Sequence, residues 1–264
     1  MTPRLAVLAA AACLASCSGP LVRPPAVAPA VEKRDALLIL PGFGYGRAGG
    51  KSFKALAEMA ARDGIDVYVP PFVTRGGLDD SRAHLETFIR EERLDRYERL
   101  HVFAFLAGGW TLNPLLDRLE LPNLSTIVYD RSPYQERAPK VAVTKVPVGA
   151  WLRFGKTIFD VARTPYPPLS SRQPNVALIV ETAPTPFIVS HAKAAEALGP
   201  FDFSCNGLGE RYDDCGYVAL HHTDLYARFL TVWPEIRAFI QTGHFTDGAN
   251  RTPPSDVALT KGHR

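Results

Sequence analysis

The chain has 264 residues, 46% of them hydrophobic and 22% charged, with a formal net charge of +3. That composition builds a sizeable core and excludes disordered and fibrous classes, and the length suits one large α/β domain once a leader is removed. The basic residues are scattered rather than gathered into runs, which argues against nucleic acid as a partner.

Residues 1–17 read as a leader. Arg4 supplies a short positive region, and Leu5 to Ala15 form an apolar stretch too short to span a bilayer as a stable helix. Leu14, Ala15, Ser16 and Cys17 follow, and this segment resembles the lipobox of bacterial lipoproteins. The resemblance implies cleavage before Cys17, a diacylated Cys17 as the mature N-terminus, and a lipid membrane as partner. Ser18, where an Asp would retain such a protein at the inner membrane, favours the outer membrane, facing the periplasm. A plain secretory signal with an accidental Cys17 is the alternative, and both readings export the protein. Residues 18–35, rich in Pro and Ala with neither helical nor strand period, are expected to be a tether.

Export decides the cysteine arithmetic. With Cys13 in the leader and Cys17 lipidated, Cys205 and Cys215 remain, and in an oxidising compartment they read as one local disulfide. Two free thiols packed in the core are the alternative. A metal site needs more soft ligands at closer spacing, so neither metal nor cofactor is expected.

From residue 36 strand-like and helix-like segments alternate. "ALLIL" is a continuous apolar run of the kind buried on both faces of a parallel sheet, and it ends in the turn "PGFGYGRAGG". Phe53, Leu56, Ala57 and Ala60 carry a helical stripe stopped by Gly64. "IDVYVPPF" is the next strand, "LDDSRAHLETFIREERL" a helix and "RLHVFAF" the third strand. "WTLNPLLDRL" reads as a helix, "LSTIVYD" and "NVALIVET" as strands, and "VSHAKAAEAL" as a helix. "YVALHH" reads as a last strand, before a terminal helix with Leu225, Phe229, Val232 and Ile236 on one face, broken or kinked at Pro234. This order predicts an α/β fold: a mostly parallel sheet flanked by helices, joined by right-handed crossovers. The domain spans 36–242, and the polar tail 243–264 is expected to be disordered. Residues 131–174, with several prolines and Trp151, Phe154 and Phe159, form an insertion after the strand ending near Asp130. It reads as a lid over the ligand crevice or as cover for the sheet edge.

The order of parts resembles the α/β-hydrolase superfamily, in particular its lipase- and esterase-like members. The resemblance covers most of the mature domain and implies an oxyanion turn, a nucleophile elbow, an acid after a later strand and a His before the last helix. "LPGFG" fits the turn, so the backbone N–H of Phe43 would be one oxyanion donor and that of Ala107 the other. His222, beside His221, fits the position of the base. The nucleophile serine, however, is replaced by Leu106 in "AFLAG", and Leu106 offers only C–H bonds. The usual place of the acid is Pro186, which leaves Asp130 as the better candidate and Glu181 as the weaker.

"GYGRAGGKSF" invites comparison with a phosphate loop, but Tyr45 stands where the first glycine is required. An anion at that helix start, helped by Lys51, stays open. Three functions remain. The first is a non-catalytic relative that binds an acyl or lipid ligand, a peptide or an envelope partner of unknown identity. The second is an ester or lipid hydrolase using His222 with activated water or another nucleophile, Ser132 or Ser204. The third is a structural lipoprotein whose crevice is filled by Leu106, Phe105 and insertion aromatics.

Overall fold

The computed structural model describes residues 20–24, 34–170, 174–206, 212–255 and 259. The expected signal peptide and Cys17 lie outside the described residues.

Six parallel strands form one sheet: β1 (Asp35–Leu40), β2 (Ile65–Tyr68), β3 (Leu100–Ala104), β4 (Leu124–Arg131), β5 (Asn175–Glu181) and β6 (Asp214–Val218). Their spatial order is β2-β1-β3-β4-β5-β6, so the chain reverses direction across the sheet at β1 and β3. The apolar runs alternate between two cores. Ala36, Leu38 and Leu40 face one, and Leu37 and Ile39 face the other, as the two-residue period of a strand requires.

Helices α1 (Gly46–Ala60), α9 (His222–Ala227) and α10 (Trp233–Thr242) bury Phe53, Leu56, Leu225, Trp233 and Ile236 on one face. The opposite face is covered by α2 (Leu78–Glu91), α3 (Leu106–Leu116), α4 (Pro133–Lys145) and the short α7 (Pro186–Ser190) and α8 (Ala192–Glu196). Between α4 and β5 lie α5 (Pro147–Phe154) and α6 (Lys156–Arg163). These two join at Gly155, whose φ of +64° and whose position 2.4 Å, measured from a would-be Cβ, from the Arg75 carbonyl oxygen admit only glycine. The insertion 131–174 is therefore mostly helical. It is tied to the body by Gly77 N–H donating to Thr157 Oγ1 at 2.9 Å and Leu78 N–H donating to Asp160 Oδ2 at 3.1 Å.

Several local expectations are corrected. α1 starts at Gly46, well before the apolar stripe, although Gly costs a helix about 1 kcal/mol relative to Ala. Close packing explains it: a Cβ on Gly50 would meet Pro20 at 2.5 Å, and one on Gly49 would meet Tyr226 at 3.2 Å. The expected tether is accordingly not free at 20–24, where Val22 exchanges both backbone bonds with Val69 and the Pro20 carbonyl accepts from Tyr45. The tail is likewise packed over 243–255: Phe245 is buried against Phe239, and Asp214 accepts from Phe245 N–H and from Arg251. Pro234 begins α10 rather than kinking a longer helix, since a proline in the first turn lacks only a donor that has no partner there. β6 ends at Val218, short of the histidines, and "VSHAKAAEAL" breaks into α7 and α8 at His191. Cys205 and Cys215 form a disulfide, as expected.

Candidate active site

The site is built at the carboxyl ends of β1, β3, β4 and β5, where a doubly wound sheet leaves its crevice. β3 ends at Ala104, and Phe105 extends the ladder by donating to the Leu40 carbonyl at 3.0 Å before capping α3. The Phe105 ring points down into an aromatic group with Phe53, Phe103, Phe229 and Tyr226. Leu106 opens α3 directly. Among the described residues the sole non-glycine residue with positive φ is Arg93, so Leu106 lacks the strained backbone that a nucleophile elbow imposes. Its side chain packs with Leu78, Trp110 and Val161. At Gly108 a Cβ would lie 2.6 Å from the Leu40 carbonyl oxygen, so glycine is what lets α3 approach β1 this closely.

His222 is the first residue of α9 and is buried. Its Nδ1 lies 3.0 Å from Glu181 Oε1, at the end of β5, and 3.5 Å from Asp130 Oδ2, near the end of β4. Both carboxyl groups thus converge on one imidazole. Glu181, the weaker expectation, makes the hydrogen bond, whereas the fully buried Asp130 stands at the longer ion-pair distance. His221 is distinguished plainly from its neighbour. It caps α9, its Nδ1 accepting from Asp224 N–H at 3.1 Å.

Burial in this apolar floor pushes the Glu181 carboxyl up to about 8, helped by the Asp130 charge, and pushes Asp130 up as well. Burial also opposes charge on His222, but the Glu181 and Asp130 carboxylates outweigh it and hold the imidazole up at about 10. Each carboxylate favours a proton on the imidazole, and the imidazolium in turn favours ionised carboxyls against the burial that opposes them. One ligand atom from each of the three residues lies within 4.8 Å of the others, so these are the described residues that could hold a metal ion.

The other face of the imidazole is decisive for chemistry. Nε2, the atom that would take a proton from a nucleophile, lies 2.9 Å from the Tyr226 hydroxyl. That hydroxyl in turn accepts the backbone N–H of Gly42 at 2.9 Å. Tyr226 sits one helical turn beyond His222 on α9, and its ring lies on Phe105 with centroids 4.5 Å apart. Burial raises its phenol well above the ordinary value, so it stays protonated. Gly42 cannot be larger, because a Cβ there would lie 2.7 Å from the Tyr226 oxygen and 3.5 Å from Nε2. Tyr226 had escaped the sequence reading, although the spacing His222 to Tyr226 is that of one helix face.

Above this floor a cavity of about 700 Å³ opens, with Gly42, Phe43, Leu106, Ala107, Trp110 and His222 at its base. The two expected oxyanion donors, Phe43 and Ala107, therefore line the same cavity, together with residues of α4, α5, α6 and α7. The crevice is not filled by Leu106 and Phe105: Leu106 lies in its wall, and Phe105 faces the opposite core. Of the two alternative serines, Ser132 is buried with no partner for its hydroxyl among the described residues, and Ser204 hydrogen-bonds Asp202. Lys51 lies within the exposed face of α1 rather than in an anion-binding loop.

The strand order, the crevice and the His222 position after the last strand define an α/β-hydrolase fold. No family model and no curated protein matches the chain. Among solved structures it is similar to the mature lipase BlEst2 of Bacillus licheniformis, with a TM-score of 0.58 and 11% identity over 85% of this chain and 98% of that one. It is also similar to the type II thioesterase BorB from the borrelidin biosynthetic cluster, with a TM-score of 0.51 and 14% identity over 84% of this chain and 96% of that one. A third is 1H-3-hydroxy-4-oxoquinoline 2,4-dioxygenase, with a TM-score of 0.50 and 14% identity over 84% and 95%. At these identities the likeness establishes the fold.

Proposed function

We infer that this chain is an exported, lipid-anchored protein that uses the hydrolase crevice to bind an acyl or lipid ligand without turning it over. The observation that carries the non-catalytic reading is the Tyr226 hydroxyl on His222 Nε2. The base is engaged and the Gly42 N–H, one residue before Phe43, donates to the same oxygen, while the nucleophile position holds Leu106. A cavity of about 700 Å³ falls within the range of small-molecule sites, and its base and walls are largely apolar. The names of the similar lipase and thioesterase support an acyl chain as the ligand's apolar part. Export and anchoring rest on the leader and on the Leu14–Cys17 segment. Palmitate labelling that disappears in Cys17→Ser would support the anchor.

Two measurements on the purified protein test the binding reading. Organic extraction followed by mass spectrometry is expected to release a bound acyl compound, and a panel of short and long acyl esters is expected to show no turnover above buffer. Ester hydrolysis that disappears in His222→Ala overturns it. That result would favour an active hydrolase with a non-standard nucleophile or activated water, a reading supported by one specific feature: the buried Asp130, Glu181 and His222 assembly is intact beneath the cavity.

A further inference from the structure

Among the described residues seven large hydrophobic side chains are exposed, and four of them, Val146, Val148, Trp151 and Leu152, fall within seven consecutive positions. α5 presents two unlike sides. Gly149, Ala150 and Arg153 face the cavity, while Val148, Trp151 and Leu152, spaced i, i+3 and i+4, stand on the opposite side with 71%, 51% and 56% of their surfaces exposed. Single exposed hydrophobics need no explanation, but a contiguous group at the wall of an apolar cavity marks an interaction surface.

The charges beside it are predominantly basic. Residues 138–164 carry five basic side chains and one acidic one, Asp160, which is engaged by Lys156 at 2.7 Å. Lys145 adjoins Val146 in the chain and is exposed. Arg163 lies with its guanidinium 5.8 Å from the Phe159 ring, which itself packs on Trp151 with centroids 6.0 Å apart. Trp and aliphatic side chains flanked by Lys and Arg are the composition of a surface that settles into the headgroup region of an anionic bilayer.

We propose that the outer face of α5 docks on an anionic lipid surface, with Val148, Trp151 and Leu152 in the boundary between headgroups and acyl chains and Lys145 and Arg163 against lipid phosphates. A second copy of the chain fits less well, because a two-fold interface would set this cationic patch against itself. A single eight-residue helix also falls short of the roughly 800 Å² per partner typical of a stable protein complex. Docking here sets one helix between the bilayer and the cavity. The proposal requires neither catalytic silence nor acylation of Cys17.

The test locates Trp151 rather than asking whether the chain binds membranes, since the N-terminal segment is present in every arm. Full-length protein is reconstituted in vesicles of phosphatidylcholine alone or mixed with phosphatidylglycerol, each doped with lipid brominated in the acyl chain. The emission component removed by Trp151→Phe separates Trp151 from the buried Trp110 and Trp233. That component is expected to be blue-shifted and quenched at least twofold in anionic vesicles, with quenching relieved by Lys145→Glu combined with Arg163→Glu and by salt, because surface attraction is screened. Val148→Ser with Leu152→Ser should release it without unfolding the chain, since both side chains are exposed. Equal quenching in both vesicle types overturns the anionic assignment. An unquenched component in both, or a blue shift that follows protein concentration without quenching, overturns docking on lipid, the latter in favour of a second copy.

Discussion

Replacing Tyr226 by Phe tests the central reading of the site. The change keeps the ring on Phe105 and removes one oxygen, which leaves the Gly42 N–H and His222 Nε2 without the partner each has at 2.9 Å. Stranding a buried polar group costs about 1–3 kcal/mol. Gly42 and His222 both border the cavity, so solvent can relieve part of this, and the loss is set at about 3 kcal/mol for the pair. For a chain of this size each kcal/mol moves Tm by about 2–4 °C, so Tm should fall by about 6–12 °C. Tyr45→Phe is the control, since it removes one half-buried hydrogen bond, to the Pro20 carbonyl, and should cost about 1 kcal/mol. Urea unfolding monitored by circular dichroism reads both. A Tyr226→Phe variant no less stable than Tyr45→Phe would refute the claim that this hydroxyl holds both groups.

Leu106→Ser alone is expected to give neither ester turnover nor labelling by a fluorophosphonate, because the backbone there begins a helix and Nε2 is engaged by Tyr226; covalent labelling of that single variant would contradict it. Glu181 keeps its proton to about pH 8 in the folded chain against 4.5 when exposed, so the folded state holds a proton that the unfolded chain has released, and stability falls as pH rises through that interval. His222, held at about 10 against 6.5, adds loss of the same sign at higher pH. Thermal melts should show Glu181→Gln flattening the lower limb of this decline, and parallel profiles for wild type and variant would count against it. Gly108→Ala should destabilise by about 1–3 kcal/mol or more in urea titration, because its Cβ would lie 2.6 Å from the backbone oxygen of Leu40, which cannot yield. Cys205→Ser with Cys215→Ser should cost up to about 3 kcal/mol, the loop-closure value for a separation of 10 residues, by the same titration.

The centre of the sheet was legible because strands such as β1 and β5 are buried on both faces and so read as unbroken apolar runs, "ALLIL" and "VALIV". His222 was legible by its place between the last strand and a helical stripe, and Asp130 by its strand end. What escaped has a physical cause in each case. The start of α1 is hidden because its glycines serve packing against Pro20 and Tyr226, a tertiary contact that overrides propensity. The tail beyond 242 looks polar, yet one buried Phe245 and the Asp214–Arg251 pair fasten it. Glu181 ranked below Asp130 because pairing across a parallel sheet, with β5 between β4 and β6, is what aims both carboxyls at one imidazole. Tyr226 was hidden by its setting in an apolar stripe, where an aromatic residue reads as core.

Leu106, where the resemblance places a nucleophile, is accompanied by two further features of the site. A serine placed at 106 would need a backbone that projects its oxygen toward Nε2, and that nitrogen would need to be open. Here the helix begins at Leu106 with ordinary dihedrals, and the Tyr226 oxygen occupies the point where the base and the Gly42 N–H converge. The buried carboxyls have a structural role of their own, on the other nitrogen of the same imidazole. Removing Asp130 or Glu181 would leave His222 charged with less compensation in an apolar floor, and breaking such a buried cluster by deleting one partner costs about 3–5 kcal/mol. Asp130, Glu181 and His222 therefore contribute to stability whether or not the site turns over a substrate. Their presence is weaker support for activity than the state of the single nitrogen that faces Tyr226.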